Sequence, residues 1–155
     1  SLGRVKVAGR TPPTTPDHAL EADLDGRVRL AGYDLAADVA RPGEVLDLAL
    51  HWRVTGRLDD DYTVFLQLLD EGGEIVGQGD GPPLGGDYPT SFWAPGEALV
   101  DHHRLQVRDD APAGTCRIIA GLYNLATGQR LPIVDAAGRP ASDHVELATV
   151  RIAAE

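Results

Sequence analysis

Five apolar residues at alternating positions, Leu46, Leu48, Leu50, Trp52 and Val54, constrain this chain more than any other feature. Asp47, Ala49, His51 and Arg53 stand between them. Successive side chains of a strand point to opposite faces, so this period of two puts the apolar set on one face. A helix would scatter the same set around its axis. The stretch therefore predicts a half-buried strand.

The pattern recurs along the chain. Tyr62, Val64, Leu66 and Leu68 alternate over residues 62–69, and Asp70, Glu71, Gly72 and Gly73 form a hairpin turn into a return strand over 74–78. Leu99, Asp101, His103, Leu105 and Val107 share one face of residues 97–107. Cys116, Ile118, Ala120 and Leu122 do the same over 115–124, and residues 27–36 and 145–152 complete the set. No stretch has helical period, and the 18 Gly and 11 Pro punctuate the chain too often for long helices. The fold class expected is all-β: a single antiparallel β-sandwich of about 8–9 strands, either a jelly roll or an immunoglobulin-like Greek key. Residues 1–26 divide off as a short strand over 3–9 followed by a Pro-rich linker or edge segment, and residues 27–155 form the sandwich.

Composition narrows the function classes. A chain of 155 residues with 43% hydrophobic content is sized for one domain with a real core. Its net charge of −10 argues against nucleic acid and anionic membrane surfaces, which need clustered cations. The single cysteine, Cys116, excludes an internal disulfide and thiolate metal sites, and its alternation with Ile118 and Ala120 makes it a small buried hydrophobe. No apolar run approaches the roughly 18 residues of a membrane span, so direct membrane insertion by this chain is not expected. The absence of Met, even at position 1, predicts a processed chain or a piece of a longer one.

Three groups of residues carry candidate chemistry. Asp101, His102 and His103 are consecutive, but on a strand His102 points away from the other two, so the three cannot share one metal. Asp101 and His103 are therefore predicted to form a structural pair. Asp59, Asp60 and Asp61 offer hard oxygens of the kind calcium takes. No EF-hand spacing supports that metal site, and a solvated turn accounts for the same residues. Finally, residues 79–96 form a long Gly- and Pro-rich loop holding Asp87, Tyr88, Phe92 and Trp93. Exposed aromatic faces there, with a flanking carboxylate, would form a weak glycan site. The competing reading is that Trp93 plugs an open end of the sandwich. No nucleophile elbow, dinucleotide fingerprint or phosphate loop is present, and nothing marks an enzyme or a bound cofactor.

Several stretches taken in order resemble a known type of domain. They are Gly32-Tyr33-Asp34-Leu35, residues 48–54 around Trp52, residues 61–70 from Asp61 to Asp70, and residues 87–97, which read Asp-Tyr-Pro-Thr-Ser-Phe-Trp-Ala-Pro-Gly-Glu. Ala113 to Cys116, Gly121-Leu122-Tyr123 and Thr127 to Pro132 continue them. This order resembles the C-terminal β-sandwich domain of bacterial polytopic membrane glycosyltransferase-like proteins of the dolichyl-phosphate-mannose mannosyltransferase type. Cys116 and His103 depart from the aromatic residues expected there. The resemblance implies a non-catalytic extracytoplasmic accessory domain, tethered to the membrane through a portion outside this chain. Its expected partners are a glycan, another cell-envelope surface or the parent membrane domain. The alternative is a structural or protein-interaction sandwich with no small-molecule ligand.

Overall fold

The computed structural model describes residues 15–154. The strand expected over residues 3–9, and most of the Pro-rich stretch after it, lie outside the described residues. The described chain is all-β, with only two short 3-10 turns at Pro83–Gly86 and Thr90–Phe92. The strands are β1 His18–Leu24, β2 Val28–Leu35, β3 Val39–Ala40, β4 Val45–Val54, β5 Tyr62–Leu69, β6 Ile75–Gln78, β7 Ala98–Val107, β8 Gly114–Asn124, β9 Ile133–Val134, β10 Pro140–Ser142 and β11 Val145–Ile152. They form one curled, hydrogen-bonded sheet in the order β10-β9-β1-β2-β4-β7-β6-β5-β8-β11-β3.

This differs from the expectation in three ways. There are eleven strands among the described residues, and the surplus comes from β3, β9 and β10, each only two or three residues long. Segments that short carry no readable alternation. The sheet is mixed, because β3 pairs parallel to β11 through Arg151↔Val39 and Ile152↔Ala40. Here the connection between β2 and β4 crosses to the far margin of the sheet, which no local pattern encodes. Third, β1 occupies a stretch given no strand in the sequence analysis. Its alternation of Leu20, Ala22 and Leu24 is legible, and it pairs antiparallel with β2.

The predicted inward faces form one core. Leu48, Leu50, Trp52 and Val54 of β4 join Leu66 and Leu68 of β5, Leu105 of β7 and Ile118 and Leu122 of β8, all nearly devoid of exposure. Curling brings together strands far apart in the order: the Tyr33 hydroxyl of β2 donates to the Leu147 carbonyl of β11 at 2.8 Å. That carbonyl lies in a bulge, where β11 slips register against β8 between Glu146 and Thr149. Burial pushes the Tyr33 phenol above its ordinary pKa.

The turn of the sheet is at β6, which bridges β5 and β7. A Cβ on Gly77 would lie 3.0 Å from the Gln106 carbonyl and 3.1 Å from the Leu68 Cβ, so a glycine lets three backbones crowd here. The outer face of β4 is less open than alternation suggests. Ala49 and His51 are also buried, and His51 Nε2 lies 2.9 Å from Asp34 Oδ2.

Candidate functional site

Asp101, the Asp59–Asp61 turn and the long loop with Asp87, Tyr88, Phe92 and Trp93 lie towards one end of the sheet. Antiparallel pairing puts the end of β4, the start of β5, the start of β7 and the end of β8 together. The connections over 55–61, 79–97 and 125–132 emerge there.

The 79–97 loop is tied down along its length. The Thr90 hydroxyl donates to the Asp60 carbonyl at 2.7 Å and accepts the Tyr62 amide at 2.8 Å. Asp61 Oδ1 accepts the Ser91 amide at 3.1 Å. Glu97 accepts the Tyr88 hydroxyl at 2.7 Å and the Ala94 amide at 2.8 Å, stapling the loop's second half to itself. Gly96 takes φ 95°, which suits glycine, and its amide donates to the Val54 carbonyl.

Beneath the loop is a buried polar knot. Asp101 faces inward on β7, directly opposite Leu50, and is fully buried. Its Oδ2 accepts Trp52 Nε1–H at 3.1 Å and lies 2.7 Å from His103 Nε2. Its Oδ1 accepts the Leu84 amide at 2.7 Å. An ionised carboxylate only accepts, and His103 donates to it through the Nε2–H tautomer. Leu84 takes φ 54°, a left-handed conformation costly for a branched side chain, and the buried carboxylate holds it there. The expected Asp101–His103 pair is present, and it also reaches Trp52 and the loop backbone. Neither connection is readable from residue spacing. Both Asp101 oxygens are engaged in holding structure.

Trp93 has no exposure, packs at 6.2 Å between ring centroids from Trp52, and donates Nε1–H to the Tyr88 carbonyl at 2.8 Å. It plugs the end of the core. This corrects the expectation of a sugar-stacking platform: a ring with no exposed face cannot stack on a sugar. Tyr88 is half-buried, with its hydroxyl on Glu97, and Asp87 is exposed. Phe92 alone among the loop aromatics projects outward, at 65% exposure.

The Asp59, Asp60 and Asp61 carboxylates do not converge. Asp59 lies 3.9 Å from Arg27, Asp60 Oδ2 is 3.4 Å from Asn124 Nδ2, and Asp61 serves Ser91. No group of three His, Cys, Asp or Glu suited to a metal occurs among the described residues, so calcium finds no ready cage on this turn. The turn is still electrostatically felt: burial first, then the Asp60 charge, raises the Tyr62 phenol above its usual range.

Leu125 carried no expectation from the sequence. It is 69% exposed, follows Asn124 directly, and with Asp60, Asp61, Asn124 and Ala126 lines an open hollow of about 410 Å³. Phe92 follows Ser91, which is bonded to the same turn from the other side. A leucine in a tight turn, just past the alternating stretch of the strand, was the available signal. A second open cleft, of about 520 Å³, lies at the seam between β2 and β11 and is lined by His18, Tyr33, Asp38 and Leu147 among others. The His18 ring stacks on Tyr33 there at 4.8 Å.

No family model matches this chain, and no curated protein does. Among solved structures it is similar to the CARDB domain of the PF1109 protein from Pyrococcus furiosus, which was obtained in complex with di-metal ions. Identity is 14%, covering 92% of this chain and 100% of that one, with a TM-score of 0.45. It is also similar to AvmM, described as catalysing macrocyclization in alchivemycin A biosynthesis. There identity is 15%, covering 88% of this chain and 97% of that one, with a TM-score of 0.40. Superpositions this loose carry no statement about chemistry.

Proposed function

We propose that this chain is a non-catalytic accessory domain, a β-sandwich formed by the curled sheet, that works by protein contact at its loop end. In this reading it is the extracytoplasmic part of a larger membrane glycosyltransferase-like protein, and the contact is made with the parent's membrane portion or a neighbouring protein. The supporting observation is the pairing of a fixed loop with outward apolar side chains. Phe92 and Leu125 are the most exposed large hydrophobics among the described residues, and they flank one turn. Holding such side chains in water forgoes burial, and holding their backbone rigid lowers the ordering cost of a contact.

Trp93 is buried, so it offers no face to a sugar. The test is a photo-crosslinking amino acid placed at position 92 of the full-length protein in its own cells, with position 110 as control. The expected result is a protein adduct specific to position 92. Equal adducts from both positions, or adducts to glycan, would overturn the reading.

A further inference from the structure

Resting on that reading, we infer that the hollow beside Leu125 receives an arginine side chain of the partner, its stem on Leu125 and its guanidinium at Asp60 and Asp61. The hollow is half aliphatic and half anionic. Leu125 and Ala126 form one wall, and Asp60 and Asp61 form the other. Among the described residues, each carboxylate keeps one oxygen with no hydrogen bond to the turn. Asp60 gives only Oδ2 to Asn124, at a long 3.4 Å, and Asp61 gives only Oδ1 to the Ser91 amide.

Arginine fits this chemistry better than other side chains. Its methylene stem covers apolar surface while its planar fork meets carboxylates with two parallel hydrogen bonds. Lysine offers the stem and the charge without the fork. Two arginines of the chain itself, Arg27 and Arg130, are already engaged. Arg27 is drawn to Asp25 and Asp59 and donates to the Arg57 carbonyl. Arg130 lies over the Phe65 ring at 4.1 Å and pairs with Asp143.

The surrounding charge selects among occupants. Asp59 and Asp87 are exposed around the same end, so a second copy would bring like charges together. An anionic bilayer meets the same repulsion. Phe92, across the turn, supplies an apolar contact for a hydrophobic residue next to the partner's arginine. The segment recognised is therefore basic with an apolar neighbour.

The probe is a soluble peptide, Gly-Ser-Leu-Arg-Phe-Arg-Leu-Ser-Gly, titrated into the labelled chain and followed by amide chemical shifts. Its control replaces both arginines by citrulline, which keeps the shape and one pair of parallel N–H donors but turns the other terminal nitrogen into a carbonyl oxygen and removes the charge. The expected result is shifts confined to residues 59–61, 90–93 and 124–127, with citrulline binding about tenfold weaker or worse. Raising salt from about 50 to 500 mM should weaken binding further, as screening of an exposed pair requires. The double variant Asp60→Asn, Asp61→Asn should lose about tenfold in affinity. Asn keeps an oxygen for the Ser91 amide, and a matched thermal transition checks the fold. Leu125→Ser, which breaks no hydrogen bond in the structure, should weaken binding independently. Asp47→Asn, remote on β4, should not.

Equal binding of the citrulline peptide, shifts elsewhere, or no binding would overturn the inference. So would binding of the chain to phosphatidylcholine–phosphatidylglycerol vesicles through the same residues. If the peptide fails while position 92 crosslinks to a protein, this inference falls and the proposed function stands. If both fail, both fall.

Discussion

Replacing Asp101 by Asn tests the reasoning about the buried knot. The carboxylate accepts from Trp52 Nε1 at 3.1 Å, from the Leu84 amide at 2.7 Å and from His103 Nε2 at 2.7 Å. Asparagine keeps one carbonyl oxygen, which can stay on the Leu84 amide. Its NH2 then occupies the place of Oδ2 and faces two donors. His103 can shift its proton to Nδ1 and accept at Nε2, but the indole of Trp52 cannot accept. One buried donor is left orphaned, at a cost of about 1–3 kcal/mol. Ala leaves all three donors without a partner and opens a void, so about 3–9 kcal/mol is expected before relaxation. Against a typical domain stability of about 5–15 kcal/mol, Ala endangers folding and Asn does not.

The assay is urea and thermal unfolding followed by tryptophan fluorescence, since both tryptophans, Trp52 and Trp93, sit at this end of the core. At about 2–4 °C per kcal/mol, Asn should lower Tm by roughly 2–12 °C. The indole N–H resonance of Trp52 should move in the variant while that of Trp93, bonded to the Tyr88 carbonyl, moves little. Asn as stable as the parent chain, or Asn as damaging as Ala, would refute the donor accounting.

Three further outcomes follow from the same geometry. Trp93→Ala should cost about 3–5 kcal/mol by emptying the end of the core, whereas Phe92→Ser should stay within about 0.5 kcal/mol in unfolding experiments. Gly121→Ala would set a Cβ 2.5 Å from the Phe65 ring and should cost about 1–3 kcal/mol, with Phe65→Leu in the same chain recovering part of it. Burial alone would raise the Asp34 carboxyl, but hydrogen bonds from His51 and the Asp17 amide, with the nearby His51 and His102 charges, carry it below its ordinary value. A depressed folded-state pKa contributes stability above the unfolded pKa of about 3.9 and loses it as pH falls through the folded value. Asp34→Asn should therefore flatten the stability profile below about pH 4 in acid titrations.

Alternation made the long strands legible because a half-buried strand must show it. Residues 98–107 illustrate both the strength and the limit of that signal. Their period of two correctly puts Asp101 and His103 on the face of Leu99, Leu105 and Val107. It even makes the oddity visible, since two ionisable groups fall in an apolar row. What answers them is Trp52, on another strand, and the Leu84 amide, in a loop seventeen residues away. Partners that distant in the chain leave no mark in spacing. The same holds for Trp93, where a proline-rich loop is equally compatible with a displayed ring and a buried one.

By itself, then, the sequence determined the all-β character, the inward faces of the long strands and the location of the loops, because each rests on local period and turn chemistry. Only the tertiary structure decided that β3 pairs parallel to β11 and that the sheet curls until Tyr33 reaches Leu147. It also decided that Trp93 is a plug while Phe92 and Leu125 meet water on either side of one acidic turn. Those outcomes depend on which surfaces remain uncovered after the whole sheet has closed, a quantity that no stretch of neighbouring residues contains.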